Sequence, residues 1–180
     1  MSVTLTRLKD GTKYAGNETL SDVDYFNIGS IKKGSKICIT GPPCVGKTSL
    51  AKYLMKKRNI RKWTFCGSET ISISDLDRIP ILCVVCDNIL EPTPLTDRLF
   101  CRESFDVILI GSSSLLKSYV YDYIFFGKGS LNLDEAFTSS NNAFMIKLIR
   151  ELRPNQFLIY IRNGIKLGKI RESEIPVILS

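Results

Sequence analysis

Gly41-Pro42-Pro43-Cys44-Val45-Gly46-Lys47-Thr48, followed by Ser49, satisfies G-x-x-x-x-G-K-[ST], the phosphate-binding loop. Each specified residue has a chemical reason to be there. Gly41 and Gly46 let the chain turn tightly and present backbone N–H groups to phosphate oxygens. Lys47 reaches the β- and γ-phosphates, and the Thr48 hydroxyl is a ligand for Mg²⁺. The backbone from Gly41 to Ser49 is therefore the expected cradle for ATP.

A hydrolase of this kind needs an acid at the tip of a hydrophobic strand to hold Mg²⁺. Asp87, at the end of Ile81-Leu82-Cys83-Val84-Val85-Cys86, fills that role. It also needs a group to orient water. Asn88 follows Asp87, so the frequent Asp-Glu pair is absent, and Glu69 or Glu91 is the alternative carboxylate. Ser112 or Ser113, after the apolar run Phe105–Gly111, either senses the γ-phosphate or starts a helix. Arg98 and Arg102 are candidate arginine fingers across a subunit boundary or plain surface charges, with Arg150 and Arg153 behind them.

The elements that must hold these groups are legible from pattern. Lys36–Thr40 reads as a short buried strand and Ser49–Lys57 as an amphipathic helix. Further strands are expected over Arg61–Cys66, Ile79–Asp87, Phe105–Gly111 and Tyr123–Gly127. Helical turns are expected over Ser72–Arg78 and within Ser112–Tyr121, and helices over Leu95–Arg102 and Asn141–Arg153. The last of these is expected to pack Ala143, Met145, Ile146 and Ile149, and Pro92 and Pro94 read as breakers. Asn163-Gly164 joins Phe157–Arg162 to Ile165–Ile170 as a hairpin, and Asp10-Gly11 suggests another in the N-terminal arm. The sum is an α/β P-loop fold, a mainly parallel sheet between helices with a C-terminal β-hairpin. Residues 1–34 form an arm packed on a single domain over 35–180.

Composition narrows the function classes. The chain has 180 residues, 44% of them hydrophobic, enough for one sizeable core. Its net charge of +7, from 25 basic and 18 acidic residues, favours polyanionic partners such as nucleic acid. Lys56-Lys57-Arg58 and Arg61-Lys62 either contact a nucleic-acid backbone or complement a helix C-terminus. With no histidine, Ser-His and Cys-His catalysis are excluded. Among the six cysteines, Cys83 and Cys86 lie on opposite faces of a strand, so buried reduced thiols are expected. No apolar run spans a bilayer and no signal-peptide layout opens the sequence, so a cytoplasmic or virion-associated protein without membrane contact is expected.

From the P-loop onward the chain resembles the viral genome-packaging ATPases of the FtsK/HerA superfamily. The resemblance lies in Thr96-Asp97-Arg98-Leu99-Phe100-Cys101-Arg102, then Phe105–Gly111, then Ser112-Ser113-Ser114-Leu115-Leu116 and Tyr121–Phe126. In that family an Arg-bearing helix leads to a strand ending in a polar sensor, often Gln, and an aromatic-rich strand follows. Asn88 and the serine at the sensor position depart from the pattern. The resemblance implies a homo-oligomeric ring that hydrolyses ATP to move double-stranded DNA into a capsid, with capsid proteins as further partners. Two other readings stay open. One is a small nucleotide kinase, with Asp75, Asp77 and Arg78 at the acceptor. The other is an AAA+ or viral-helicase-type ATP-binding module with weak turnover.

Overall fold

The computed structural model describes residues 4–57, 63–66, 83–103, 105–130 and 139–170. In chain order these form β1 (Thr6–Arg7), β2 (Lys36–Thr40), α1 (Lys47–Lys57), β3 (Trp63–Cys66), β4 (Cys83–Ile89) and α2 (Pro94–Phe100). There follow β5 (Asp106–Gly111), a 3₁₀ turn (Ser113–Lys117), β6 (Tyr123–Gly127), α3 (Ser139–Glu151), β7 (Phe157–Ile161) and β8 (Lys166–Lys169). Among the described residues the strands make one eight-stranded sheet in the order β1-β8-β7-β6-β2-β5-β4-β3. The pairs of β2 with β5 and β6, of β4 with β3 and β5, and of β1 with β8 are parallel. β7 runs antiparallel to both β6 and β8, so the expected hairpin is in place.

Strand alternation sorts the core into two layers, one on each face. Ile37 and Ile39 of β2, Cys83 and Val85 of β4 and Ile108 and Ile110 of β5 meet Leu50, Leu54 and Met55 of α1. Cys38, Val84, Cys86, Val107 and Leu109 face the other way, onto Leu99 of α2 and Met145, Leu148 and Ile149 of α3. Runs such as Val107–Ile110 are buried on both faces, as parallel strands between helix layers must be. Cys83 and Cys86 fall in different layers, as expected of residues three apart on a strand.

Several expectations need correcting. Ala143 is exposed, and Phe144 and Leu148 supply the buried stripe with Met145 and Ile149. Pro94 does not break a helix but opens α2: Thr93 caps it, its hydroxyl accepting from the Thr96 N–H, and Pro94 sits in the first turn. The N-terminal segment does reverse near Asp10-Gly11, with Thr6 bridging Lys13, but its strand is two residues long and joins β8. Cys83 and Cys86 are buried thiols as expected, while Cys44 and Cys101 are exposed. Ser72–Arg78, with Asp75, Asp77 and Arg78, lies outside the described residues, as do Glu69, Arg58, Arg61 and Lys62.

Candidate functional site

β2 ends at Thr40 and α1 begins at Lys47, so the P-loop caps the C-terminal edge of the central strand. Cys44 sits at φ 65° and Gly46 at φ 94°, left-handed positions that wrap the loop around its own centre. The loop is clamped from outside. A Cβ on Gly46 would lie 2.7 Å from Asn155 Oδ1. A Cβ on Gly127 would lie 2.8 Å from Val45 Cγ2, and one on Gly129 3.0 Å from Pro42 Cγ. Pro42 and Val45 therefore pack against the turn after β6. The inner side, from Gly41, Pro43 and Cys44 to Gly46, Lys47, Thr48 and Ser49, lines a cavity of about 570 Å³.

The opposite wall comes from β4 and β5. Asp87 continues the Cys83, Val85 face, which points at α1, and the Thr48 hydroxyl donates to Asp87 Oδ2 at 2.8 Å. A register shift follows at once: Cys86 pairs with Leu109 but Ile89 with Gly111. One extra residue in β4 thus opposes β5 just where Asp87 meets the cavity, a bulge of the kind that re-aims side chains beside functional sites. Ser112 continues the Ile108, Ile110 face and also lines the cavity. Its hydroxyl lies 2.5 Å from Ser114 Oγ, and Ser114 Oγ donates to the Leu90 carbonyl at 2.9 Å. Ser112 is the N-cap of the 3₁₀ turn by position, without a side-chain capping bond.

The Lys47 ammonium donates to the carbonyls of Gly41 (2.7 Å) and Pro42 (2.9 Å), folded over its own loop. Partial burial holds its pKa below the ordinary lysine value, with the Asp87 carboxylate and Cys44 opposing that shift. The donor set suits a triphosphate and Mg²⁺: glycines leave room for phosphate oxygens, and a hydroxyl and a carboxylate supply hard oxygen ligands. Mg²⁺ is bound by one or two such groups plus substrate phosphates and water.

Among the predicted site residues, Lys47, Thr48, Asp87 and Ser112 come together around this cavity. Glu91 is exposed and is not part of its lining. Arg102 lies at the far end of the sheet, where its carbonyl accepts from Lys36 Nζ and its guanidinium sits 5.7 Å from the Phe105 ring centroid. Arg98, Arg150 and Arg153 are exposed. Sequence reasoning missed Leu90 and Asn155. Asn155 adopts φ 63° in the turn before β7, where asparagine is one of the few residues that tolerates the left-handed region. Among the described residues no helix is long and apolar enough to cross a membrane.

No family model and no curated protein matches the chain by sequence. Solved structures do match its fold. The genome packaging NTPase B204 of Sulfolobus turreted icosahedral virus 2, in complex with ATP-gammaS, superposes with a TM-score of 0.58 at 15% identity. That match covers 78% of this chain and 98% of the other. The same protein in complex with AMPPCP gives 0.55 at 12% identity, over 78% and 99%. B204 of Sulfolobus turreted icosahedral virus, a DNA-packaging ATPase, gives 0.54 at 12% identity, over 78% and 98%. The chain thus has the P-loop fold of these packaging NTPases.

Proposed function

We propose that this protein is an ATP-hydrolysing P-loop NTPase that moves nucleic acid, a subunit of a ring-forming viral DNA-packaging motor of the FtsK/HerA superfamily. The observation that carries the reading is the 2.8 Å hydrogen bond between Thr48 and Asp87 across a P-loop whose lysine folds over the same cavity. The support for packaging is the fold it shares with B204, whose complexes hold ATP-gammaS and AMPPCP.

In this reading Lys47 exchanges two backbone carbonyls for phosphate oxygens. That exchange replaces neutral acceptors with anionic ones and strengthens each bond. The backbone N–H groups of the loop and the start of α1 hold the remaining phosphate charge. Thr48 and Asp87 are the residues that would hold Mg²⁺, which would supply charge neutralisation to the phosphates. Ser112 is placed to sense the terminal phosphate. Glu69 or Glu91 orients water, and an arginine of a neighbouring subunit, Arg102 foremost, completes the site. Because Arg102 lies at the other end of its own sheet, it can serve only in trans, which ties turnover to assembly. Residues 1–34 act as an arm of one domain, and capsid proteins are the further partners.

ATP turnover with and without double-stranded DNA, measured alongside sedimentation, tests the proposal. A motor shows turnover that rises with DNA and with assembly. A monomer that passes γ-phosphate to a small acceptor irrespective of DNA would be a kinase instead. Tight ATP binding with no turnover under any assembly condition would leave a binding module.

A further inference from the structure

A second cavity lies at the opposite end of the sheet from the P-loop. It is an open cleft of about 650 Å³ lined by Lys32, Lys33, Asp122, Arg162 and Asn163, with Tyr123 in its wall. Its parts come from three distant stretches of sequence: the segment entering β2, the start of β6, and the β7–β8 turn. A fourth reaches the same end. α1 starts at the C-terminal edge of β2 and returns across the sheet, so its exposed last residues, Lys56 and Lys57, are carried back towards the strand starts. Lys57 shares a smaller cleft of about 390 Å³ with Phe26 and Ile28, and the Phe26 ring lies 5.8 Å from that of Tyr123. The two clefts are therefore neighbours.

Lys32, Lys33 and Arg162 are exposed. Arg162 is ion-paired, so Asp122 offsets one of the cleft's three positive charges. Its Nη2 meets Asp122 Oδ1 at 3.2 Å, while Asp122 Oδ2 accepts the Lys36 N–H at 2.8 Å. One carboxylate thus serves both the strand start and the guanidinium, which remains exposed. Among the described residues Lys33 and Asn163 make no side-chain hydrogen bond, so their donors are open to a ligand. The cleft is open and carries Lys32, Lys33 and Arg162 against the one carboxylate Asp122, beside the apolar side chains of Tyr123, Ile161 and Ile165, and this excess of positive charge suits a phosphodiester backbone. Five strand residues of β2, roughly 13 Å of rise, separate it from the P-loop, so it cannot be the nucleotide's own site.

We propose that this basic end, Lys32, Lys33 and Arg162 with Lys57 alongside, is the surface that holds the nucleic-acid backbone. The inference rests on the motor reading for the duplex DNA chosen as ligand, but not for the surface itself.

The test is binding of a fluorescent 30-base-pair duplex across a salt series, with basal ATP turnover measured on the same samples. Lys32→Ala/Lys33→Ala/Arg162→Ala should weaken binding by roughly tenfold or more. It should also flatten the slope of log K against log salt by about 0.9 for each phosphate no longer neutralised. Lys9→Ala/Lys52→Ala/Lys117→Ala removes the same charge from exposed positions outside the cleft and should change little. Lys32→Glu/Lys33→Glu leaves the Arg162–Asp122 pair intact and should abolish binding without touching the fold. DNA-free ATP turnover should persist in every variant. If the wild type binds duplex and the cleft variants bind it equally well, the surface lies elsewhere while the motor reading stands. Should the cleft variants lose DNA in a protein that never hydrolyses ATP, the surface is right and the motor is wrong. A wild type that turns over ATP but binds no duplex overturns both.

Discussion

At one end of β2 the Lys36 ammonium donates to the carbonyls of Arg102 and Phe105, each at 2.6 Å, and Gly34 at 3.4 Å. Just past the other end the Lys47 ammonium donates to Gly41 and Pro42 at 2.7 and 2.9 Å. Both lysines are bonded to backbone carbonyls, and burial lowers the pKa of both. What differs is the surroundings. Lys36 is buried, and its carbonyls belong to a turn further fixed by the Asp106 carboxylate accepting the Gly34 N–H. Lys47 is half-buried beside an open cavity, and its carbonyls belong to the loop that lines that cavity. Bonds of similar length thus make one lysine a structural post and leave the other exchangeable. The chemistry is carried by what else can reach the ammonium, not by the bonds it makes at rest.

Swapping the two lysines for neutral residues is the strongest way to break this contrast. Lys47→Ala should lower ATP turnover by about 1,000-fold, or about 4 kcal/mol of transition-state stabilisation, while urea unfolding barely moves. Lys36→Met should do the reverse: about 3 kcal/mol less stable, since buried carbonyls lose a charged donor, with turnover per folded molecule intact. Equal destabilisation in both variants would make Lys47 a structural residue too. Asp87→Asn keeps the shape and removes the charge. It should cut turnover about 100-fold and raise the Mg²⁺ concentration needed for half-maximal rate.

The next effect is geometric. A Cβ on Gly111 would lie 2.0 Å from the Ile89 carbonyl oxygen, and backbone cannot swing aside as a side chain can. Gly111→Ala should therefore push the tips of β4 and β5 apart, costing about 2 kcal/mol in unfolding free energy. Because Asp87 sits at the bulge on that same tip, turnover should fall by more than the destabilisation explains. A variant that unfolds more easily but hydrolyses at the normal rate would show that the β4–β5 junction does not position the carboxylate.

What is legible in the sequence follows the range of the forces involved. The P-loop is a contiguous string whose chemistry is local, so its residues and flanking elements can be named from the string itself. Asp87 is readable because alternation along an apolar strand is also local. The bulge beside it is not, since it is a mismatch between β4 and β5 that neither strand shows alone. The same holds for β1, whose partner β8 lies at the other end of the chain. Asn155 meets Gly46 only through the turn before β7, and no periodicity announces that approach. Pro94 is different. Thr93-Pro94 with Thr96 is a local start signal, and a proline at the first helical position supports a helix that the same residue further in would break. The basic end is hidden in the sequence because Lys32, Lys33 and Arg162 are far apart in the chain and converge only once β7 and β8 pair beside β6.

The smallest effect separates the two lysines by pH. Lys36 has its folded pKa lowered by burial, so the unfolded chain holds that proton more tightly than the native one. The number of protons bound is then greater in the unfolded state between the lowered folded value and the unfolded value of 10.5. Stability must rise with pH across that window by less than about 1.4 kcal/mol per unit from this one group. Below the window the contribution is constant and unfavourable, and above it the contribution vanishes. The gap between wild type and Lys36→Met should therefore widen from neutral pH towards pH 10, because a neutral amine still donates to its carbonyls without carrying a buried charge. Lys47 gives the same sign in the free protein. With ATP bound, phosphate should hold its proton and remove its share of the slope, whereas the Lys36 share should persist. Unfolding curves from pH 7 to 10, with and without ATP, measure both shares. An ATP-insensitive slope in wild type together with a flat one in Lys36→Met would assign the whole effect to the structural lysine and leave Lys47 outside the triphosphate's reach.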